Sequence, residues 1–288
     1  MFYCKYKVKY KYIRMVEIEI FSYCNRKCWF CPNSFIDRNS TNILMLEELY
    51  LKILNELKSI NYSNMISYSR YNEPTSNREI FIKRLKQAKT IIPNATLHTN
   101  TNGDFLTRDY LDELYESGLK SMNIQSYLSK NEIFNTDNIK IKIDIMAEKL
   151  GLDFVEKINS IDRYEIAFKY KEMNLNMYAR DFRLNGNNRG GVLDTIPAII
   201  RKSPCYIPFS DIYIDYNGKV LPCCNFRSDI KEHNNFILGD ANNESILDIF
   251  NNIKMKKLRK KLLKDIDKLK PCNECNFAID YKPDFMIK

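Results

Sequence analysis

The sequence predicts an α/β protein built on a parallel sheet, open or curled toward a barrel, followed by a smaller α+β unit. Three features predict it. Short apolar runs alternate with amphipathic helical patterns from Met15 to Arg180, an Asn- and Gly-rich break at 185–191 interrupts that rhythm, and a hairpin and a helix follow. Length agrees: 288 residues with 44% hydrophobic side chains bury a sizeable core and leave room for one small extra unit.

The elements follow in order. Residues 1–14 form a basic segment in which Lys5, Lys7, Lys9, Lys11 and Arg14 interleave with Tyr3, Tyr6, Tyr10 and Tyr12. It has no apolar stretch of the signal-peptide kind, and no run is long enough to span a membrane, so the expected location is the cytoplasm. Val16–Phe21 reads as a first strand and Leu46–Leu57 as a helix with apolar residues at three- and four-residue intervals. Met65–Tyr68 is the next strand, Arg78–Lys89 a helix, Thr96–Thr99 a strand, and Arg108–Ser117 a helix capped by Thr107 and ended by Gly118. Ser121–Ile124 is a strand, another helix ends at Gly151, and Glu165–Phe168 and Leu175–Arg180 add two strands. About six strands alternating with helices imply a parallel sheet whose active site lies at the strands' carboxyl ends.

After the break, Asp211–Asp215 and Lys219–Leu221 flank Asn217-Gly218, a strong hairpin signal. A long amphipathic helix should follow, capped by Ser245 with Asp248 three residues on. Its apolar stripe is Ile249, Phe250, Ile253, Leu258, Leu262, Ile266 and Leu269, and its other face is basic. The expected division is 1–14, 15–195 and 196–288.

Composition excludes several functions. Only 8 glycines occur, with neither G-x-G-x-x-G nor G-x-x-x-x-G-K-[ST], so the phosphate-cradling turns of dinucleotide-binding and P-loop proteins are missing. Two histidines, His98 and His233, leave no H-E-x-x-H zinc site and no two-histidine iron site. Metal chemistry must therefore rest on the nine cysteines, which in a reducing compartment are metal ligands or redox groups rather than a disulfide framework. A net charge of +9 favours an anionic partner without naming one.

Cys24, Cys28 and Cys31 form a C-x3-C-x2-C run just past the first strand. Three thiolates leave one iron of a [4Fe–4S] cluster open, whereas zinc or an ordinary four-cysteine cluster requires a fourth ligand. A zinc knuckle or three reactive thiols is the alternative reading. The run resembles the radical S-adenosylmethionine (radical SAM) superfamily, and that resemblance implies a partial (β/α)6 TIM-like barrel. It further implies that the open iron binds SAM, whose reductive cleavage yields a 5′-deoxyadenosyl radical. Phe30, before the last cysteine, matches the aromatic that the family packs near the adenine. Ser69-Arg70-Tyr71-Asn72-Glu73-Pro74 stands where the family has an acidic motif at the end of its second strand, usually Gly-Gly-Glu. The resemblance therefore assigns Asn72 and Glu73 to the SAM amine, and Gln125 and Ser126, after the fourth strand, to the ribose. His98-Thr-Asn-Thr-Asn-Gly103 is similar to the ending of the family's third strand.

Cys205, Gly218, Cys223 and Cys224, then Cys272-Asn-Glu-Cys275, resemble the SPASM/Twitch extension found in radical SAM proteins. No cysteine follows Cys275, so the resemblance implies one auxiliary [4Fe–4S] cluster, with Cys205, Cys223, Cys272 and Cys275 as ligands. A four-cysteine zinc is the alternative, and Cys224 in place of Cys223 is a second one. Cys4 lies outside both motifs. The whole pattern is most similar to Twitch-type aminocyclitol dehydrogenases.

That likeness implies a radical SAM oxidoreductase that abstracts a hydrogen and oxidises an alcohol carbon of a sugar or aminocyclitol to a ketone, the auxiliary cluster taking the electron. Arg189, in the loop before Cys205, is the candidate contact to a substrate hydroxyl or phosphate. Modification of a ribosomal peptide by epimerisation or crosslinking is the alternative, with Cys224 returning a hydrogen atom. A nucleic-acid-binding iron–sulfur protein is a third, because Lys254–Lys270 is basic; positive residues opposite an apolar stripe are, however, the pattern of any solvated helix. The expected partners are a small-molecule or peptide substrate and a flavodoxin or ferredoxin-type electron donor, with no membrane partner.

Overall fold

The computed structural model describes residues 6–264, 268–277 and 282–286. Tyr3, Cys4, Lys5 and Ile266 lie outside them. Among the described residues, ten strands form one sheet in the order β10-β9-β8-β1-β2-β3-β4-β7-β6-β5. Its centre is parallel: β1 (Met15–Ile18), β2 (Met65–Ser67), β3 (Thr96–Thr101), β4 (Leu119–Gln125) and β7 (Met173–Arg180) pair in that sequence, and β8 (Asp211–Ile214) runs parallel to β1 on its other side.

Helices cover one face of this centre. In α1 (Glu47–Ser59) Leu49, Tyr50, Ile53, Leu54 and Leu57 are buried, and in α2 (Arg78–Ile91) Phe81, Leu85 and Ala88. In α3 (Arg108–Glu116) Tyr110, Leu111 and Leu114 are buried, and in α4 (Thr136–Leu150) Ile139, Ile143, Ala147 and Leu150. This three- and four-residue spacing lays one stripe per helix on Val16, Ile18, Ile66, Leu97, Met122 and Ile124 of the strands. Thr107 caps α3 by accepting from the Tyr110 amide, and Gly151 ends α4 at φ +62°.

The opposite face of the strands is polar, which is why β3 reads Thr-Leu-His-Thr-Asn-Thr rather than as an apolar run. Strand register aligns Tyr213, Glu17, Ser67, His98, Ser121 and Asn174 in one row across the sheet. Above it, the Asn176 amide donates to Asn123 (3.2 Å), Asn123 to Asn100 (2.9 Å) and Asn100 to the Ser69 hydroxyl (2.6 Å). These polar side chains satisfy one another on the concave face.

Three expectations are corrected. Glu165–Phe168 and Leu175–Arg180 are strands, but not successive βα units: β6 (Arg163–Tyr170) and β7 form an antiparallel hairpin turning at Lys171 (φ +53°). An exposed strand, β5 (Val155–Asn159), which the sequence pattern did not indicate, completes this meander. Its alternation is absent because neither face is buried. Second, beyond the short α5 (Phe182–Asn185), the long C-terminal helix is two, α6 (Ile246–Phe250) and α7 (Ile253–Leu262), because Asn251 and Asn252 use their side chains on backbone. Asn251 exchanges two 2.9 Å bonds with the Val8 backbone, and Asn252 caps α7. Ile253 and Leu269 of the expected stripe are exposed. Third, the carboxylate at the Ser245 cap is Glu56 of α1, which accepts from the Ser245 hydroxyl (2.7 Å) and the Ile246 amide (2.8 Å), in place of Asp248. The expected hairpin forms from β8 and β9 (Lys219–Leu221), with Gly218 at φ +84°. With β10 (Gly239–Asp240) it extends the same sheet. No helix among the described residues is long and apolar enough to cross a membrane.

Candidate active site

The parallel strands bring their carboxyl-terminal loops to one edge, where a cavity of about 210 Å³ opens. The β1 loop contributes Cys24, Cys28, Phe30 and Cys31; the β2 loop Arg70, Tyr71, Asn72 and Glu73; β4 ends in Gln125; and β7 ends in Arg180. Arg189 and Cys224 arrive from the later chain, and Glu17 rises from β1 itself. Of the residues assigned from sequence to this site, only Ser126 lies elsewhere, in an adjoining cleft beside Gln125 and Tyr127.

Polar contacts hold the cysteine loop in shape. Asp104 accepts from Arg26 Nε (2.8 Å), Arg26 Nη2 (2.5 Å) and Asn25 (2.7 Å). Asn33, after Cys31, donates to the Tyr71 carbonyl (2.8 Å) and accepts from Arg227 (2.7 Å). Phe30 stacks on Phe182 at 3.6 Å with the rings 1° from parallel, and Tyr127 packs at 5.1 Å. Burial pushes the Cys24 thiol up to about 11 and Cys28 to about 12, and the neighbouring cysteines add to both. Arg26 opposes this rise at Cys28 without cancelling it, and thiols crowded like this are at home as metal ligands, because a metal replaces their protons. Cys224 shares the cavity but not this group. Its thiol, held up at about 12 by burial, has Glu17, Arg189 and Arg70 as its charged neighbours.

Glu73 is buried and heavily bonded. Its Oε1 accepts from the Thr75 amide (3.1 Å), the Thr75 hydroxyl (2.7 Å) and the Thr101 hydroxyl (2.6 Å), while among the described residues Oε2 accepts only from the Asn102 amide (2.8 Å). Burial still raises its pKa, against the pull of these bonds. The Asn72 side-chain amide nitrogen is buried in the same wall with no hydrogen-bond partner. An unfilled donor beside a carboxylate oxygen with spare capacity suits a zwitterionic amino-acid group.

Behind the hairpin lies a second, smaller pocket, lined by Cys205, Cys223, Cys272 and Cys275 among apolar side chains. The four cysteines are one another's electrostatic neighbours, and burial lifts Cys272 to about 12 and Cys223 well above the ordinary thiol range. Amides of Phe277 (3.4 Å) and Asn225 (3.9 Å) point at the Cys275 sulfur. Among the described residues no three His, Cys, Asp or Glu side chains converge as one metal ion requires. A cluster differs, since each thiolate takes its own iron and the ligands stand around it. Cys223 and Cys224 are consecutive, yet Cys223 lines this pocket and Cys224 the larger cavity.

A network of buried charges ties the two cysteine segments together. Arg70 binds Asp215 (2.6 Å), Glu17 (3.4 Å) and the Phe226 carbonyl (2.7 Å). Arg38 binds Glu19 (3.2 Å) and Asp229 (2.9 Å), and Arg227 binds Asp229 (2.6 Å) and Asn33. The sequence reading missed Glu17, Arg70, Tyr71, Tyr127, Arg180 and Phe182. The available signal for Glu17 was an acid at every second position of an otherwise apolar strand, Val-Glu-Ile-Glu-Ile; for Arg180 and Phe182 it was their place at a strand's carboxyl end.

Residues 18–126 match the family model for the radical SAM superfamily, and residues 205–276 match that for SPASM, an iron–sulfur cluster-binding domain. The chain is 28% identical over 284 residues to the S-adenosyl-L-methionine-dependent 2-deoxy-scyllo-inosamine dehydrogenase of Niallia circulans, covering 96% of this chain and 99% of that protein. Its fold is similar to that of BtrN crystallised in complex with AdoMet and 2-DOIA, with a TM-score of 0.66 and 25% identity over 94% of this chain and 95% of that one. An open-conformation crystal structure of selenomethionine BtrN aligns with a TM-score of 0.59 and 23% identity over 92% of each chain. The thiol trio, the thiol quartet and these matches agree on SAM, a SAM-binding [4Fe–4S] cluster and an auxiliary iron–sulfur cluster as cofactors. The chain is a radical SAM enzyme with a SPASM-type iron–sulfur extension.

Proposed function

We propose that this enzyme oxidises a secondary alcohol of a small polyol, of the aminocyclitol or sugar class, to a ketone. The observation that carries the reading is the division of labour at Cys223 and Cys224, where consecutive residues line the two sites. A substrate in the larger cavity therefore lies against the backbone of an auxiliary-cluster ligand, a short path for an electron. When bound, SAM and its cluster supply a radical that takes a hydrogen atom from carbon, and the auxiliary cluster supplies an electron acceptor.

The chain's own side chains do the rest. Cys24, Cys28 and Cys31 would hold the first cluster and Cys205, Cys223, Cys272 and Cys275 the second. Asn72, Glu73, Gln125 and Phe30 line the wall where SAM would be held, while Ser126 reaches it only through the adjoining cleft. Arg189, with its guanidinium 5.8 Å from the Tyr71 ring and, among the described residues, no carboxylate in ion-pair range, is the cation available to a substrate hydroxyl. The aromatic packing of Phe30, Phe182 and Tyr127 excludes water from that side. Cys224, a neutral thiol at physiological pH, is a cavity wall in this reading. An acidic flavodoxin or ferredoxin suits the exposed Lys254, Lys257 and Lys260 of α7 as electron donor.

The test uses anaerobically reconstituted enzyme, SAM, reductant and 2-deoxy-scyllo-inosamine deuterated at its ring carbinol carbons. Ketone and 5′-deoxyadenosine should form in equal amounts, with deuterium carried into the 5′-deoxyadenosine. Deuterium transfer without ketone refutes oxidation. The relatives favour this reading over peptide modification and over nucleic-acid binding.

A further inference from the structure

Oxidising a carbinol to a ketone removes a hydrogen atom from carbon, a proton from oxygen and one electron. In the proposed reaction the hydrogen atom leaves to the SAM-derived radical and the electron to the auxiliary cluster, so the proton needs a protein acceptor. We infer that the Glu17 carboxylate is that acceptor: the substrate O–H bond breaks as Glu17 O–H and the carbonyl π bond form. This inference rests on the dehydrogenase reading.

The cavity leaves few alternatives. Glu73 has Oε1 filled by three donors, and the capacity that Oε2 keeps beyond the Asn102 amide is assigned to the SAM amine. Glu19 is occupied by Arg38 and by the Tyr71 and Tyr216 amides. Arginines 70, 180 and 189 carry protons already and cannot take another. Burial holds Cys224 and Tyr71 protonated far above the pH at which Glu17 ionises, so neither has a vacant site for the proton where Glu17 does. His98 gives its ring nitrogens to Ser121 (2.8 Å) and Asn123 (3.4 Å) and does not line the cavity. Glu17 differs from all of these. Its Oε1 has one long contact, Arg70 at 3.4 Å, and Oε2 has no hydrogen-bond partner among the described residues. It lines the cavity beside Cys224 and Arg189 and is 8% exposed.

The surroundings set its basicity. Burial raises Glu17 to about 8, with Asp211 of β8 and Glu19 of its own strand pushing the same way and Arg70 and Arg189 opposing. Tyr213 of β8, Asp215 just after that strand and Cys224 complete the titratable groups that face it or its partner Arg70. A carboxylate poised near neutrality both accepts a proton readily and returns it to solvent.

The experiment compares wild type, Glu17→Gln and Glu17→Asp with 2-deoxy-scyllo-inosamine deuterated at its carbinol carbons, after iron content and SAM binding are matched. In Glu17→Gln ketone formation should fall by about 10²- to 10⁴-fold, while deuterium still passes into 5′-deoxyadenosine. The wild-type rate should rise with pH, reach half its maximum near 8 and level off above that; Glu17→Asp should keep that limb at a reduced rate, and Glu17→Gln should lose it. The electron paramagnetic resonance signal of the reduced auxiliary cluster should build up during wild-type turnover and fail to do so in Glu17→Gln. Ketone from Glu17→Gln at the wild-type rate and pH profile overturns the role of Glu17 alone. No ketone from wild type overturns the dehydrogenase reading and this step with it.

Discussion

Arg227 is one of the side chains through which the two cysteine segments hold each other, and replacing it by methionine has a calculable cost. It is fully buried and three residues beyond Cys224, donates to Asn33 Oδ1 at 2.7 Å and to Asp229 at 2.8 and 2.6 Å, and lies 4.5 Å from the Tyr71 ring. Methionine fills much of the volume but leaves Asn33 Oδ1 without a donor, a loss of about 1–3 kcal/mol. Asp229 keeps Arg38 at 2.9 Å, so the full penalty of about 3–5 kcal/mol for an abandoned buried charge does not apply. Adding about 1 kcal/mol for the two lost bonds to Asp229 makes the sum about 2–4 kcal/mol. With a urea slope of about 3 kcal/mol/M for a chain of this size, the unfolding midpoint should drop by roughly 1 M. The assay is anaerobic urea denaturation of the reconstituted enzyme followed by circular dichroism. Asn33→Leu added to Arg227→Met should cost less than the sum of the two single changes, because the unpaired oxygen is gone. A midpoint unchanged within experimental error, or strictly additive costs, would refute the claim that this contact fastens the segments.

Three further outcomes follow. Cys223→Ala should lose about four irons per chain and all ketone formation, whereas Cys224→Ala should keep both clusters and turn over; iron analysis beside product analysis separates them, and iron loss in Cys224→Ala would exchange their roles. Glu17 has a native pKa raised from the ordinary carboxylate value of 4.5 to about 8 by burial, so the native state holds its proton where the unfolded chain has released it. Its contribution is therefore full below about pH 4.5 and is lost as pH rises toward 8. Relative to Glu17→Gln, wild type should lose stability by about 1.4 kcal/mol per pH unit across that window, measured by denaturation at several pH values, and a pH-independent difference would contradict the assignment. Phe182→Ala removes the ring stacked on Phe30 and should weaken SAM binding and lower stability by about 3 kcal/mol; calorimetric titration with SAM that matches wild type would remove Phe182 from the site.

Legibility followed the constraints. Helices α1 to α3 could be read because each buries one stripe against a covered sheet, and Thr107 and Gly151 acted as the cap and stop that their chemistry suggests. The β5–β7 meander was misread because β6 and β7 alternate like parallel edge strands, and strand direction leaves no mark on a two-residue period. The break at Asn251 was hidden since its cause, the Val8 backbone, lies 243 residues away. The cysteines were legible because three or four soft donors at fixed spacing have few other uses. Glu17, Arg70 and Arg227 were not, because a buried charge becomes informative only once its partners from other strands are placed around it.

The central claim is that one thiol trio holds a cluster with an open iron while the thiol quartet holds a closed one. The most direct measurement is electron paramagnetic resonance of reduced protein with and without SAM, in a Cys24→Ala/Cys28→Ala/Cys31→Ala variant and in a Cys205→Ala/Cys272→Ala/Cys275→Ala variant. SAM should shift the signal of the second variant, which retains the trio, and leave that of the first unchanged. A SAM-dependent shift in the variant that lacks the trio would contradict the account.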